Sequence, residues 1–208
     1  MTIMKKTLIL IPFLLLAGCG GGEDVPFIPP ISFANEPPIV LNVANVQVVE
    51  EYVPPKQLPN VEHAAPTPPY RAVRTWADER LKPTGTTGFV RVDIRDASIV
   101  EKPLIGQEEF DGHLDVTIDG DAGDGLHTAS SEITISRQIV TDKDQDLAAK
   151  ERIWDNLTRE MMADFDKGAA NAIANNLSQF TGPASAMPQA LSQPTAPVIE
   201  RSGAMGGY

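Results

Sequence analysis

Between Gly88 and Ser136 the chain alternates apolar and polar residues in three successive segments, and this pattern limits the fold more than any other feature. From Gly88 to Val100, Val90, Val92 and Ile94 alternate with Arg91, Asp93 and Arg95. From Phe110 to Asp119, Leu114, Val116 and Ile118 alternate with His113, Asp115 and Thr117. After the loop DGDAGDG, Ile133 and Ile135 alternate with Glu132, Thr134 and Ser136. A period of two puts successive side chains on opposite faces of a strand. Each strand therefore has one apolar and one wet face, and a sheet built from them needs cover on one side only.

The flanking segments supply that cover and one more strand. Ile39 to Val53 (IVLNVANVQVVEEYV) is rich in β-branched residues and closes on Pro54 and Pro55, so it reads as a first strand; its alternation slips near Ala44 and Asn45, the mark of a bulge or bend. Thr67 and Pro68 suit the cap and first turn of a helix in which Val73, Trp76, Ala77 and Leu81 share a face, ending at Lys82 and Pro83. A longer helix is predicted from about Asp142, with Leu147, Trp154, Leu157, Met161 and Phe165 as its apolar stripe and Asp142, Asp144 and Asp146 at its positive end. Ile173 and Leu177 are placed to extend it, with Gly168 weakening that end.

The order is β-α-β-β-β-α, and the fold class expected is α/β in the α+β sense. It is a two-layer sandwich with a four-stranded mixed sheet and both helices on one face. The crossover through the first helix makes the first two strands parallel neighbours or near neighbours, and the last three form an antiparallel meander. The domain is expected over residues 39–180. Gly20 to Pro38, with its prolines and adjacent glycines, reads as a tether whose Phe27, Ile28, Ile31 and Phe33 are unusual for a spacer and suited to docking on a partner or on the domain itself. Residues 181–208, rich in Pro, Gly, Ser, Ala and Gln, read as a disordered tail.

The single cysteine, Cys19, stands in LLLAGCGGG behind Lys5, Lys6 and an apolar run from Leu8 to Leu16. That run has the order of an export signal and is shorter than the roughly 20 residues a membrane-spanning helix needs. Leu16, Ala17, Gly18 and Cys19 match the lipobox of a bacterial lipoprotein precursor, which this N-terminus resembles. The resemblance implies a signal peptide over residues 1–18 and cleavage between Gly18 and Cys19. It also implies attachment of diacylglycerol, and of fatty acids such as palmitate, at Cys19. Gly20 stands where an aspartate would hold such a protein at the inner membrane, so the resemblance implies the outer membrane, facing the periplasm. Two or three acyl chains make release from the bilayer very slow.

Charge and motifs narrow the function. The formal net charge of −11, or about −13 after removal of residues 1–18, opposes binding to phosphate backbones, so no nucleic acid partner is expected. DKDQD at Asp142 to Asp146 lacks the glycine and distal glutamate of an EF-hand, with Leu147 and Ile153 in those places. DGDAGDG from Asp119 to Gly125 fails the same test and suits a hairpin connection. His113 and His127 fall on opposite strand phases and His63 lies in a proline-rich linker, so no metal set forms. There is no nucleophile elbow, and Asp93, Asp115 and Glu132 alternate with Arg91, Arg95 and Thr134 as on a solvated face. No catalytic residue, metal or cofactor is assigned.

The element order, size and anchor are similar to those of small outer-membrane lipoproteins that assist envelope transport, including lipopolysaccharide-assembly partners and auxiliary lipoproteins of ABC-type lipid transporters. The expected role is a non-catalytic binding or auxiliary subunit that engages a protein or lipid partner in the envelope and the membrane through its N-terminal lipid. Arg91, Arg95, His113 and Asp115 on the wet sheet face are the candidate contact surface. A carboxylate-based cell-wall enzyme and a calcium-stabilised structural lipoprotein are the alternatives.

Overall fold

The computed structural model describes residues 27–182. Its principal sheet has the order β2 (Asn45–Glu50), β4 (Phe89–Pro103), β5 (Gln107–Asp121) and β6 (Thr128–Asp142). β2 runs parallel to β4, and β4, β5 and β6 form the antiparallel meander. Helices α1 (Pro69–Arg80) and α2 (Leu147–Asn176) pack on one face. The expected α+β class and β-α-β-β-β-α order hold.

The first strand is divided. β1 (Ile39–Leu41) is separated from β2 by Asn42 to Ala44, close to the slip in the alternation, and pairs in parallel with β3 (Leu81–Pro83) as a second small sheet. The helix ending expected at Lys82 and Pro83 therefore comes earlier, after Arg80, because the chain goes straight into β3. At the other end α1 begins at Pro69 with Pro68 as its cap, and no side chain bonds there, so Thr67 does not serve as the cap. Asp142 closes β6 instead of opening α2, whose cap is Asp146 with its carboxylate accepting from the Ala149 N–H at 2.7 Å.

Register explains the covered face. Val92 and Ile118, Ile94 and Val116, and Ala97 and Leu114 are cross-strand pairs, and all are fully buried. They join Ala72, Val73 and Trp76 of α1 and Met162, Phe165 and Ile173 of α2 in one core, where Trp76 and Phe165 meet edge to face at 4.8 Å. Two strand glycines let the cover approach. A Cβ at Gly112 would stand 2.5 Å from Met161 Sδ, and one at Gly120 would stand 2.5 Å from the Phe180 ring.

The ends of the domain lie beyond 39 and 180. Ile31 and Phe33 are buried in the main core, while Phe27 is exposed. Part of the expected tether is thus docked on the domain, fixed by Glu79, whose carboxylate accepts from Ser32 Oγ at 3.0 Å and from the Phe33 N–H. Thr181 bridges Leu41, and the Gly182 N–H donates to the Val40 carbonyl at 3.0 Å, so the chain remains attached for two residues past the expected boundary. Cys19, Gly18, the expected signal peptide over residues 1–18 and residues 183–208 lie outside the described residues.

Candidate functional site: the open sheet face

The face turned away from the helices carries the alternate residues of β4, β5 and β6, and the register brings the four candidate surface residues together there. Arg91 opposes Asp119, His113 lies between Ser98 and Ser136, and Asp115 lies between Asp96 and Thr134. Arg95 sits in a bulge where the β4 register shifts between Ile94 and Asp96.

Two ion-pair groups organise this face. Arg91 Nε donates to Asp93 at 2.8 Å and its Nη2 donates to Asp119 at 3.0 Å, which raises the guanidinium pKa above its ordinary value, Asp119 contributing most. Burial pushes the Asp93 carboxyl up, and Arg91 offsets this only in part. Arg95 reaches Glu132 at 3.9 Å with both side chains well exposed, a pair that contributes little to stability. His113 Nδ1 lies 3.0 Å from Ser136 Oγ.

The surface is acidic as a whole. Asp93 and Asp96 of β4, Glu109, Asp111, Asp115, Asp119 and Asp121 of β5 and Glu132 of β6 share it with three cations, Arg91, Arg95 and Lys102. Toward the β5–β6 hairpin it sinks into a concavity of about 510 Å³ lined by Phe89, Arg91, Asp119, Asp121, Thr128 and Ser130. Thr117 lies opposite Asp93 on one side and Glu132 on the other, yet is only 3% exposed. Among the described residues its hydroxyl and Asp115 Oδ1 have no hydrogen-bond partner.

Asp96 and Asp119 also lie on this face, although Asp119 opens the DGDAGDG stretch that suits a hairpin connection. Asp96 left a signal: apolar residues occupy even positions at Val90, Val92 and Ile94, then odd ones at Ala97 and Ile99, so the strand must gain a residue between. The bulge does so and places Arg95 and Asp96 together against Asp115.

The acidic hairpin uses its carboxylates internally. Asp121 Oδ1 accepts from the Gly123 N–H at 2.6 Å, and Asp124 Oδ1 accepts from the Leu126 and His127 N–H groups at 2.9 Å. Hydrogen bonds from the His127 backbone and ring, and then from Leu126, hold the Asp124 carboxyl well below the usual carboxylate range. His127 is exposed in this loop and not on the inward phase of a strand, with Nδ1 2.6 Å from Asp124. Among the described residues no three His, Cys, Asp or Glu side chains are grouped to hold a metal ion.

A second concavity of about 470 Å³ lies between the segment preceding α1 and the start of α2, lined by Val61, Ala64, Glu101, Lys150 and Trp154 among others. Lys150 is taken up by Glu101 at 2.9 Å and Glu108 at 3.0 Å.

No protein-family model matches the chain, and no curated protein matches it. Among the described residues no helix is long and apolar enough to cross a membrane.

Proposed function

We propose that this chain is a non-catalytic outer-membrane lipoprotein, facing the periplasm, that serves as a binding or auxiliary subunit in envelope transport or assembly. The observation that carries the binding role is the one-sided sheet. Its apolar face is closed by two helices, while the opposite face holds a layer of charged side chains and a concavity with no packed element over it among the described residues. The anchor reading is supported by Leu16-Ala17-Gly18-Cys19 behind a short apolar run, and the outer-membrane reading by Gly20.

In this arrangement the lipid on Cys19 restricts the domain to the membrane surface, and the shortened tether sets its distance. The acidic sheet face is repelled by anionic head groups, which turns it toward the periplasm.

The test uses cells fed labelled palmitate and expressing the wild type or Cys19→Ala, with membranes separated on a density gradient. The wild type is expected to carry label and to sediment with the outer membrane, and the variant to carry none. Label in the variant would sink the anchor assignment. Crosslinking in intact cells, with an unrelated lipoprotein as control, then asks whether an envelope transport or assembly complex is enriched.

A further inference from the structure

β6 is an outer strand of the principal sheet, with β5 on one side and, among the described residues, no strand on the other. It runs for 15 residues without a register shift or a proline. The Ala122 N–H donates to the His127 carbonyl and the Lys143 N–H to the Gly106 carbonyl, one bond at each end of the β5–β6 ladder. Together they fix its phase: odd-numbered residues of β6 bond to β5, and even-numbered ones turn their N–H and C=O groups outward. Among the described residues this outer edge is met only at its ends, where Gln179 donates to the Thr128 carbonyl at 3.5 Å and Gln145 to the Asp142 carbonyl at 3.1 Å. Exposed edges are ordinarily blunted by shortness, proline or a bulge. The opposite edge follows that rule, since β2 has six residues and the chain beyond it reaches Pro54 and Pro55. β6 has none of these three devices.

We infer that β6 is the interface for a second copy of this chain, the two strands pairing antiparallel about a two-fold axis at Thr134. A row of outward donors and acceptors is matched by an extended strand, and two identical antiparallel strands are self-complementary. With the axis at Thr134, Glu132 stands opposite the partner's Ser136 and Ser130 opposite the partner's Gln138. On the helix-covered side Ile133 stands opposite the partner's Ile135, and Ile135 opposite the partner's Ile133. An axis at Ile133 or Ile135 keeps one isoleucine pair where this register makes two, and an axis at Glu132 or Arg137 opposes like charges. Charge also favours this edge. The net charge of −11 repels a second copy from most of the surface. Between Thr128 and Thr141, however, the strand carries only Glu132 and Arg137, each held by an opposite charge of its own chain, Arg95 and Asp164. Pairing from Ser130 to Gln138 forms about ten backbone hydrogen bonds and joins two four-stranded sheets into one.

The experiment uses the full-length Cys19→Ala chain, which has no other cysteine. Sedimentation over a concentration series is expected to show a monomer–dimer equilibrium. Amide hydrogen exchange at Ser130, Glu132, Thr134, Ser136 and Gln138 should slow as the dimer fills and quicken on dilution. Thr134→Cys should form a disulfide-linked dimer under mild oxidation, because the axis brings its two copies to about 5.5 Å between Cα atoms. Glu132→Cys and Ser136→Cys should not, since each lies along the strand from its own copy. Thr134→Lys opposes two ammonium groups at the axis and should raise the dimer Kd roughly tenfold. A chain that stays monomeric with these amides open, equal crosslinking at the three positions, or a dimer indifferent to Thr134→Lys would overturn the inference. Protection of the same amides that does not change with dilution would also overturn it, assigning the edge to residues 183–208 of the same chain. None of these readouts depends on lipidation or on the wet sheet face, so the interface and the proposed function stand or fall separately.

Discussion

The indole Nε1 of Trp76 donates to Asp166 Oδ1 at 2.7 Å, tying α1 to α2 at the edge of the core. The same oxygen accepts from Arg80 Nε at 2.8 Å, with the Arg80 side chain only 7% exposed. Asp166→Ala would leave a buried guanidinium and an indole N–H without their acceptor. It is expected to destabilise the fold by about 3 kcal/mol. Asp166→Asn keeps an acceptor oxygen and should lose less. Urea unfolding of the two variants checks the order.

The two close-approach glycines should respond differently to alanine. At Gly112 the obstructing atoms belong to Met161 and Leu157, and the thioether can swing aside. At Gly120 the obstruction is the rigid ring of Phe180, itself buried. Overpacking costs about 1–3 kcal/mol, with Gly112→Ala expected near the lower end and Gly120→Ala near the upper. Calorimetric melting of each variant would show the difference, and equal losses would contradict it.

Tyr52 hydroxyl donates to Glu62 at 2.8 Å, and Glu62 is fully buried and also accepts from the Ile99 N–H at 3.2 Å. Burial, and then this carboxylate, push the Tyr52 phenol well above its ordinary pKa. The folded state therefore holds the phenolic proton more tightly than the unfolded chain. That contribution is fully present below the unfolded pKa of about 10 and is lost as pH rises from there through the folded value. Urea midpoints measured at pH 9 and pH 11 should fall more for the wild type than for Tyr52→Phe.

Residues 27–38 should act as part of the domain. Phe33→Ala removes a ring that is 8% exposed in the main core and is expected to cost about 3 kcal/mol. A chain begun at Ile39 should melt below one begun at Phe27. Identical melting temperatures would return the segment to the role of spacer.

The strands that carry the candidate site were legible because alternation is a local property: Val90, Val92, Ile94, Leu114, Val116, Ile118, Ile133 and Ile135 were placed on one face before any partner was known, and all are buried or packed against the core. The polar residues between them followed onto the other face. The details of that face were less legible. Whether Asp115 meets a base or another acid depends on the β4–β5 register and its bulge, which brings Asp96 opposite. Helix ends shifted for a related reason, since Asp142 and Leu81 suit a helix by neighbourhood but are drawn into strands by partners far along the chain.

By itself the sequence determined the order of the elements and the one-sided sheet. It also presented Cys19 in a stretch that resembles a lipid-attachment motif, outside the described residues. These are matters of periodicity, turn chemistry and short motifs, read within a few residues. Only the tertiary structure decided that the first strand splits between two sheets, that Ile31 and Phe33 close the core, and that Asp166 links the helices. It also decided that Asp115 and Thr117 keep oxygens without partners among the described residues. Each depends on which distant segment reaches a given surface, a competition among packing, register and hydrogen-bond satisfaction that local pattern does not encode.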